Sequence, residues 1–184
     1  IGAGVVTQAI KFNRSLTSLD ITGGPIEDEG LGVIGELLLS QYCTCSMRYI
    51  SCFAFEIKEQ SSEVVMQDDA LGEGAAKLLC GVFKYNGTIK RLNLSGKGIE
   101  PSAASFLAVA VRHNTTLESI DLSENPLSDV SRYIDARDPV DTKGLNELAE
   151  AVKASDSLTA ITLDGGRLPV DNLKGADNDK RVRM

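Results

Sequence analysis

The chain lacks tryptophan, has a single histidine, and holds only 5% aromatic residues among its 184 positions. One histidine, His113, leaves little to complete a metal site or a catalytic triad, because both need several oriented partners. No apolar run is long enough to cross a bilayer, so direct insertion into a membrane is not expected. Asp and Glu outnumber Lys and Arg by 26 to 19, and the resulting net charge of −7 disfavours nucleic acid as a partner.

Cysteine is also scarce, and its spacing is unlike that of a metal site. The four cysteines contain no C-x-x-C pair, which is the usual first half of a structural zinc site. We interpret them as reduced thiols that pack as small apolar groups, which favours an intracellular, cytoplasmic location. They are Cys43, Cys45, Cys52 and Cys80. The sequence therefore predicts no catalytic group, metal or cofactor.

A repeated pattern of apolar residues organises what is present. The segments IKRLNLSGKGI from Ile89 and LESIDLSENPL from Leu117 both fit L-x-x-L-x-L-x-x-N-x-L, with Ile allowed for Leu, and begin 28 residues apart. The pattern predicts a short strand in each unit, because L-x-L alternation places apolar side chains on one face. Further units fit from Leu16, Met47, Ser61 and Leu158.

A helical pattern precedes four of these units. The residues 14, 10 and 6 positions before a unit start lie on one helix face, because they are four apart. The first column is small, and the other two are larger and apolar, which predicts a helix packed closely against the strands. The columns are Gly2, Ala75, Ala103 and Gly144; Val6, Leu79, Leu107 and Leu148; and Ile10, Phe83, Val111 and Val152.

With these units the chain resembles leucine-rich-repeat proteins, and the ribonuclease-inhibitor-like subfamily in particular. The resemblance implies an α/β fold in which a right-handed solenoid bends into a horseshoe arc. It also implies parallel strands on the concave side and helices on the convex side. We expect one leucine-rich-repeat domain over residues 1–176, followed by a flexible tail at 177–184.

Two intervals depart from the 28-residue period. Only 14 residues separate Met47 from Ser61, so we interpret 47–57 as a strand unit that returns through a loop at 58–60, without a helix. The last interval, of 41 residues, predicts an inserted loop at 128–141. That loop either grips a partner or moves freely in solvent.

Three N-x-[ST] sequences each begin three residues before a unit start, at Asn13, Asn86 and Asn114. This register predicts that each asparagine ends a helix in the left-handed conformation, with N-glycosylation as the alternative. The asparagine of the repeat consensus is kept only at Asn125, so the other turns must satisfy their main-chain groups differently.

The strand residues that point away from the core are the candidate binding residues. We expect Tyr49 and Phe53 to lie together as an apolar anchor. Lys90 and Arg91 are placed to pair with glutamates of the neighbouring units. The alternative for any one of these residues is ordinary solvated surface. The candidates, including those of the inserted loop, are Arg48, Tyr49, Phe53, Glu63, Lys90, Arg91, Glu118, Asp121, Arg132, Tyr133 and Arg137.

The sequence therefore predicts a non-catalytic scaffold for protein–protein interaction, which binds a partner protein through the concave strand face and the 128–141 loop. A structural subunit of a larger multiprotein assembly is the first alternative, because no polar capping unit precedes the first helix. A regulator similar to Ran GTPase-activating proteins, which share this repeat class, is a more remote one. Each function rests on analogy with the fold, so none is settled by the residues alone.

Overall fold

A computed structural model describes residues 2–127 and 143–163 together with the main chain of 166–169. Five helices and eight short strands lie within these ranges. The helices are α1 (Gly2–Ile10), α2 (Asp28–Leu39), α3 (Glu73–Phe83), α4 (Pro101–His113) and α5 (Lys143–Ala154). The strands are β1 (Ser18–Asp20), β2 (Tyr49–Ser51), β3 (Phe55–Ile57), β4 (Val65–Met66), β5 (Arg91–Asn93), β6 (Ser119–Asp121), β7 (Ala160–Leu163) and β8 (Gly166–Pro169).

Helix and strand alternate along the chain, which confirms the α/β class. A helix precedes each of β1, β2, β5, β6 and β7. The pairs β1–β2, β5–β6 and β6–β7 are parallel, as strands joined through a helix are expected to be. The strands form two four-stranded sheets, ordered β1-β2-β3-β4 and β5-β6-β7-β8.

The expectation of parallel strands throughout is wrong. The pairs β2–β3, β3–β4 and β7–β8 are antiparallel. The segment 47–57 is not a single strand, since the chain turns at 52–54 and comes back as β3. The physical reason is length: three residues between β2 and β3 suffice for a hairpin, whereas a parallel connection needs a dozen or more.

The core lies between the helices and the inner face of the strands, as the apolar columns predict. Leu79 of α3, Leu107 of α4 and Leu148 of α5 are all buried, and so are the strand residues Leu92 and Ile120. The helix residues that alternate with them face solvent. A repeat cannot bury its apolar face alone, so the units stabilise one another by stacking.

Glycines allow α2 and α3 to pack with their main chains in contact. A Cβ atom added at Gly35 of α2 would collide with the main chain of Leu78 in α3. Asp28, in the first turn of α2, then accepts hydrogen bonds from the main-chain N–H groups of Gly74 and Ala75 at 2.9 and 2.8 Å. The first turn of α3 is therefore capped by its neighbouring helix rather than by its own preceding residue.

The asparagines before the strands link one unit to the next. The side-chain oxygen of Asn114 accepts hydrogen bonds from the N–H groups of Thr116 and Leu117 at 2.9 and 2.7 Å. Its amide nitrogen donates to the carbonyl oxygens of Phe83 and Asn86, 2.7 and 2.9 Å away. Asn114 has φ −80° and ψ 132°, so the predicted left-handed conformation is wrong here, and the side chain closes the turn instead.

Asn86 and Asn13 accept the same pair of main-chain hydrogen bonds at their own unit starts. Asn86 and Asn114 are both buried, and their amide nitrogens are used in hydrogen bonds. A glycan needs a free, exposed amide nitrogen, so the structure favours the capping interpretation over N-glycosylation at these two positions.

The single consensus asparagine has the same kind of role after β6. The amide nitrogen of Asn125 donates to the carbonyl oxygens of Leu94 and Leu122 at 2.7 and 3.0 Å. Its side-chain oxygen accepts the N–H of Ile99, 2.9 Å away in the preceding unit. Buried Asn125 thus satisfies main-chain groups of two units at once.

Candidate functional site

The exposed face of the second sheet carries aligned rows of polar side chains. Leu92 of β5 and Ile120 of β6 point into the core, so their neighbours in the strands point outward. The register pairs Arg91 with Ser119 and pairs Asn93 with Asp121. The rows therefore run across the strands, as the alternation in the sequence predicts.

An ion pair joins two of the predicted residues across neighbouring units. Lys90 Nζ lies 2.7 Å from Glu118 Oε1, which confirms the expected pairing of these two side chains. Both are exposed, so the pair adds only about 0–1 kcal/mol to the free energy of unfolding. Within the described residues no ion pair joins Arg91 to Glu63, although both side chains line the same groove.

A recurring turn at the ends of the strands was missed by the sequence reasoning. Asp20, Asn93 and Asp121 each accept a hydrogen bond from the N–H group two residues later, at 2.9–3.0 Å. The hydroxyl of Thr22, followed by its N–H, also lowers the pKa of Asp20. The signal was present as [DN]-x-[ST] at the end of each strand. Asp121, a predicted binding residue, therefore holds a turn in place.

The predicted apolar anchor is less continuous than expected. Tyr49 begins β2 and is half-buried, whereas Phe53 is exposed in the turn that follows this strand. The two rings therefore belong to opposite ends of β2 and do not form the adjacent pair that a single long strand would give. Arg48, just before β2, is exposed, and its carbonyl oxygen accepts the amide of Asn86 at 2.9 Å.

Charged and polar side chains also cover the first sheet. Ser51 Oγ donates to Glu56 Oε1 at 2.8 Å, and Lys58 Nζ lies 2.9 Å from the other oxygen of Glu56. The hydrogen bond from Lys58, and then that from Ser51, lowers the pKa of this carboxyl group. Glu56 is therefore held as a carboxylate on the strand face.

A groove of about 400 Å³ separates the two sheets. It brings Glu63 and Arg91, two of the predicted binding residues, to opposite walls. β4 supplies one wall and β5 the other, and in the described part of the chain these strands are not paired with each other. The lining residues are Glu63, Val64, Met66, Arg91, Asn93, Ser95 and Lys97.

The groups that carry catalysis in many proteins have structural surroundings here. The four thiols are buried, and burial raises the pKa of Cys80 to about 12, so this thiol is not a nucleophile near neutral pH. His113 Nδ1 lies 2.9 Å from the carbonyl oxygen of Val109 in its own helix. Over residues 2–127 and 143–163, no cluster of three metal-binding side chains is found.

Two predicted features fall outside what can be tested. The inserted loop at 128–141, with Arg132, Tyr133 and Arg137, lies outside the described residues, and so does the tail at 177–184. Among the described helices, none is both long and apolar enough to cross a membrane.

Comparison with known proteins agrees with the repeat pattern. A family profile described as Leucine Rich repeat matches residues 12–35 and 113–132. Human leucine-rich repeat-containing protein 73 is 30% identical over 128 residues, which cover 67% of this chain and 35% of that protein. Mouse ribonuclease inhibitor is 28% identical over 137 residues, which cover 67% of this chain and 30% of the inhibitor.

Human NACHT, LRR and PYD domains-containing protein 5 is 26% identical over 140 residues, covering 69% of this chain and 12% of that protein. The chain therefore spans about a third of the length of the first two relatives and a smaller part of the third. The likeness concerns the repeats that these proteins share.

Proposed function

Because the chain is a leucine-rich-repeat protein of the ribonuclease-inhibitor-like kind, we propose that it is a non-catalytic scaffold that binds a partner protein. Proteins of this repeat class generally serve as interaction scaffolds. The partner would contact the exposed strand face and the 128–141 loop. The observation that supports this most is the strand face itself, where Arg91, Lys90 and Glu118 stand in register on neighbouring units and face solvent.

The proposal includes the winding of the repeats. Connections from a strand through a helix to a parallel strand are right-handed in nearly all proteins. The β1–α2–β2 and β5–α4–β6 connections are of this type. We infer a right-handed solenoid with its strands on the concave side, interrupted where the sheets separate. The buried, free thiols support a reducing, intracellular compartment.

The test is capture of a partner from cells of the source organism by the intact chain, followed by measurement of its affinity. A triple variant with Tyr49→Ala, Phe53→Ala and Arg91→Ala removes exposed groups of the strand side. We expect at least a tenfold loss of affinity. A matched variant with Val33→Ala, Arg112→Ala and Lys153→Ala removes exposed groups of the helices and should bind as before. Unchanged affinity of the first variant would exclude the strand face as the binding surface.

A second candidate, a subunit of a larger assembly, is favoured by one observation. Phe12 and Tyr42 leave 70% and 71% of their surfaces exposed. Their segments are linked, since the N–H of Thr44 donates to the carbonyl oxygen of Lys11 at 3.1 Å. Exposed aromatic groups brought together on one end are typical of a surface covered by another protein. Light scattering checks this, because a stable, purified monomer would argue against an obligate subunit.

A further inference from the structure

The groove between the sheets has an unpaired strand edge on each side. β4 ends the first sheet and β5 begins the second, and each is paired on one side only within the described ranges. β4 is bonded to β3, with Glu56 opposite Val65, and β5 is bonded to β6, with Leu92 opposite Ile120. An unpaired edge is a template for another strand, and here two such edges line one groove.

The hydrogen-bond pattern shows which main-chain groups face the groove. In β5, the carbonyl of Lys90 and the N–H of Leu94 bond to the β6 side. Neighbouring residues of a strand direct these groups to opposite edges, so the N–H and C=O groups of Arg91 and Asn93 face β4. In β4, the N–H of Gln67 bonds to the β3 side, which turns the main-chain groups of Met66 toward β5.

Hydrogen bonds close one end of the groove and hold its walls. Beyond the end of β5, the N–H of Leu71 donates to the carbonyl oxygen of Lys97 at 2.8 Å. Lys97 Nζ donates to the carbonyl oxygen of Asp68 at 3.1 Å. The walls thus approach each other past the strands, whereas along the strands they stay apart. An occupant would have to be extended, since it must satisfy both edges at once.

The charge of the groove selects the chemistry of the occupant. Its lining has two cations, Arg91 and Lys97, against one carboxylate, Glu63, in a chain whose net charge is −7. Arg91 is exposed, while the nearby Lys90 is turned to Glu118. A guanidinium group pairs with a carboxylate through two parallel hydrogen bonds. A carboxylate beside Arg91 is therefore the complementary group.

We propose that an extended segment of a partner protein, with an Asp or Glu side chain opposite Arg91, inserts as a strand between β4 and β5. Its main chain bonds to the edge of Arg91 and Asn93 on one side and to that of Met66 on the other. The two sheets are then joined into one. This inference rests on the proposed function, since it names the kind of segment through which the partner binds.

The experiment uses the full chain and nine-residue peptides selected from a random displayed library, made with blocked ends. We expect the selected peptides to carry an Asp or Glu at one position. Arg91→Gln should weaken their binding at least tenfold, whereas Arg14→Gln, the same change at an exposed arginine before β1, should alter it less than twofold. N-methylation of alternate peptide amides should abolish binding, because these amides form the ladder.

Amide hydrogen exchange supplies a readout of the edge itself. Exchange at Arg91, Asn93 and Met66 should slow when a selected peptide binds. The inference is overturned if no peptide is selected, if Arg91→Gln binds normally, or if N-methylation has no effect. A captured partner that needs the strand face but leaves exchange at Arg91 and Asn93 unchanged overturns the insertion while the proposed function stands. Peptides that insert, with no partner captured, give the opposite result.

Discussion

At the scale of single residues, buried asparagines hold the repeats in register. Asn114 satisfies two N–H groups of its own unit and two carbonyl oxygens of the preceding one. Asn13 accepts the first pair of bonds but is only half-buried. The same residue type at the same register thus stabilises a turn at one end of the chain and a junction between units in its middle.

We expect Asn114→Ala to lower the free energy of unfolding by about 3 kcal/mol, because it leaves several buried main-chain groups without partners. Asn13→Ala is the matched control and should cost about 1 kcal/mol, the usual cost of a lost cap. Urea unfolding of the two variants measures the difference. Equal losses would show that the bonds from Asn114 to Phe83 and Asn86 contribute nothing.

At the scale of elements, the regular units were predictable and the hairpin was not. The apolar columns found α3, α4 and α5, because a helix face repeats every three to four residues wherever it packs. The segment 47–57 misled the reasoning because its apolar residues fit a repeat unit as well as two paired strands. Pairing β2 with β3 is a contact between separate segments, and periodicity does not reveal strand direction.

The candidate site shows the same division. Lys90 and Glu118 could be paired from the sequence, because a shift of 28 residues brings one repeat beside the next. The groove between β4 and β5 could not be predicted, because it exists where two strands fail to pair. A repeat pattern predicts only the pairs that form.

The contact between α2 and α3 gives a prediction at this scale. Gly35→Ala would drive a Cβ atom into the main chain of Leu78, which cannot move like the end of a flexible side chain. We expect it to lower the free energy of unfolding by about 2 kcal/mol. Gly4→Ala, in α1, meets no atom within 4 Å and should be neutral or stabilise by up to about 1 kcal/mol. Thermal unfolding followed by circular dichroism compares the two, and a neutral Gly35→Ala would contradict the packing.

At the scale of the whole molecule, the helices form a more regular layer than the strands. Removal of residues 53–66 would join Cys52 to Gln67 and read MRYISCQDDAL, which restores the repeat pattern and a 28-residue interval from Met47 to Ile89. We infer that 53–66, which contains β3 and β4, is an insertion within one repeat unit. Without it, β2 would be placed beside β5 as a parallel neighbour.

The shortened chain is therefore expected to fold, to unfold cooperatively in urea, and to lose the selected peptides, since it has no groove. Removal of 53–65 is the control. It keeps one more residue, puts Leu71 out of register, and should give a far less stable protein. Equal stability of the two shortened chains would show that 53–66 is not an insertion into a repeat.

The glycine-mediated contact between α2 and α3 also has a kinetic consequence. It fixes the spacing of the units behind the groove, so the two strand edges are already positioned before any segment arrives. A preformed site avoids a slow opening step and much of the ordering entropy that a mobile site loses on binding. Association should then be a single collision-limited process, near the 10⁵–10⁷ M⁻¹s⁻¹ that is typical of preformed sites, and partners would differ chiefly in how long they stay.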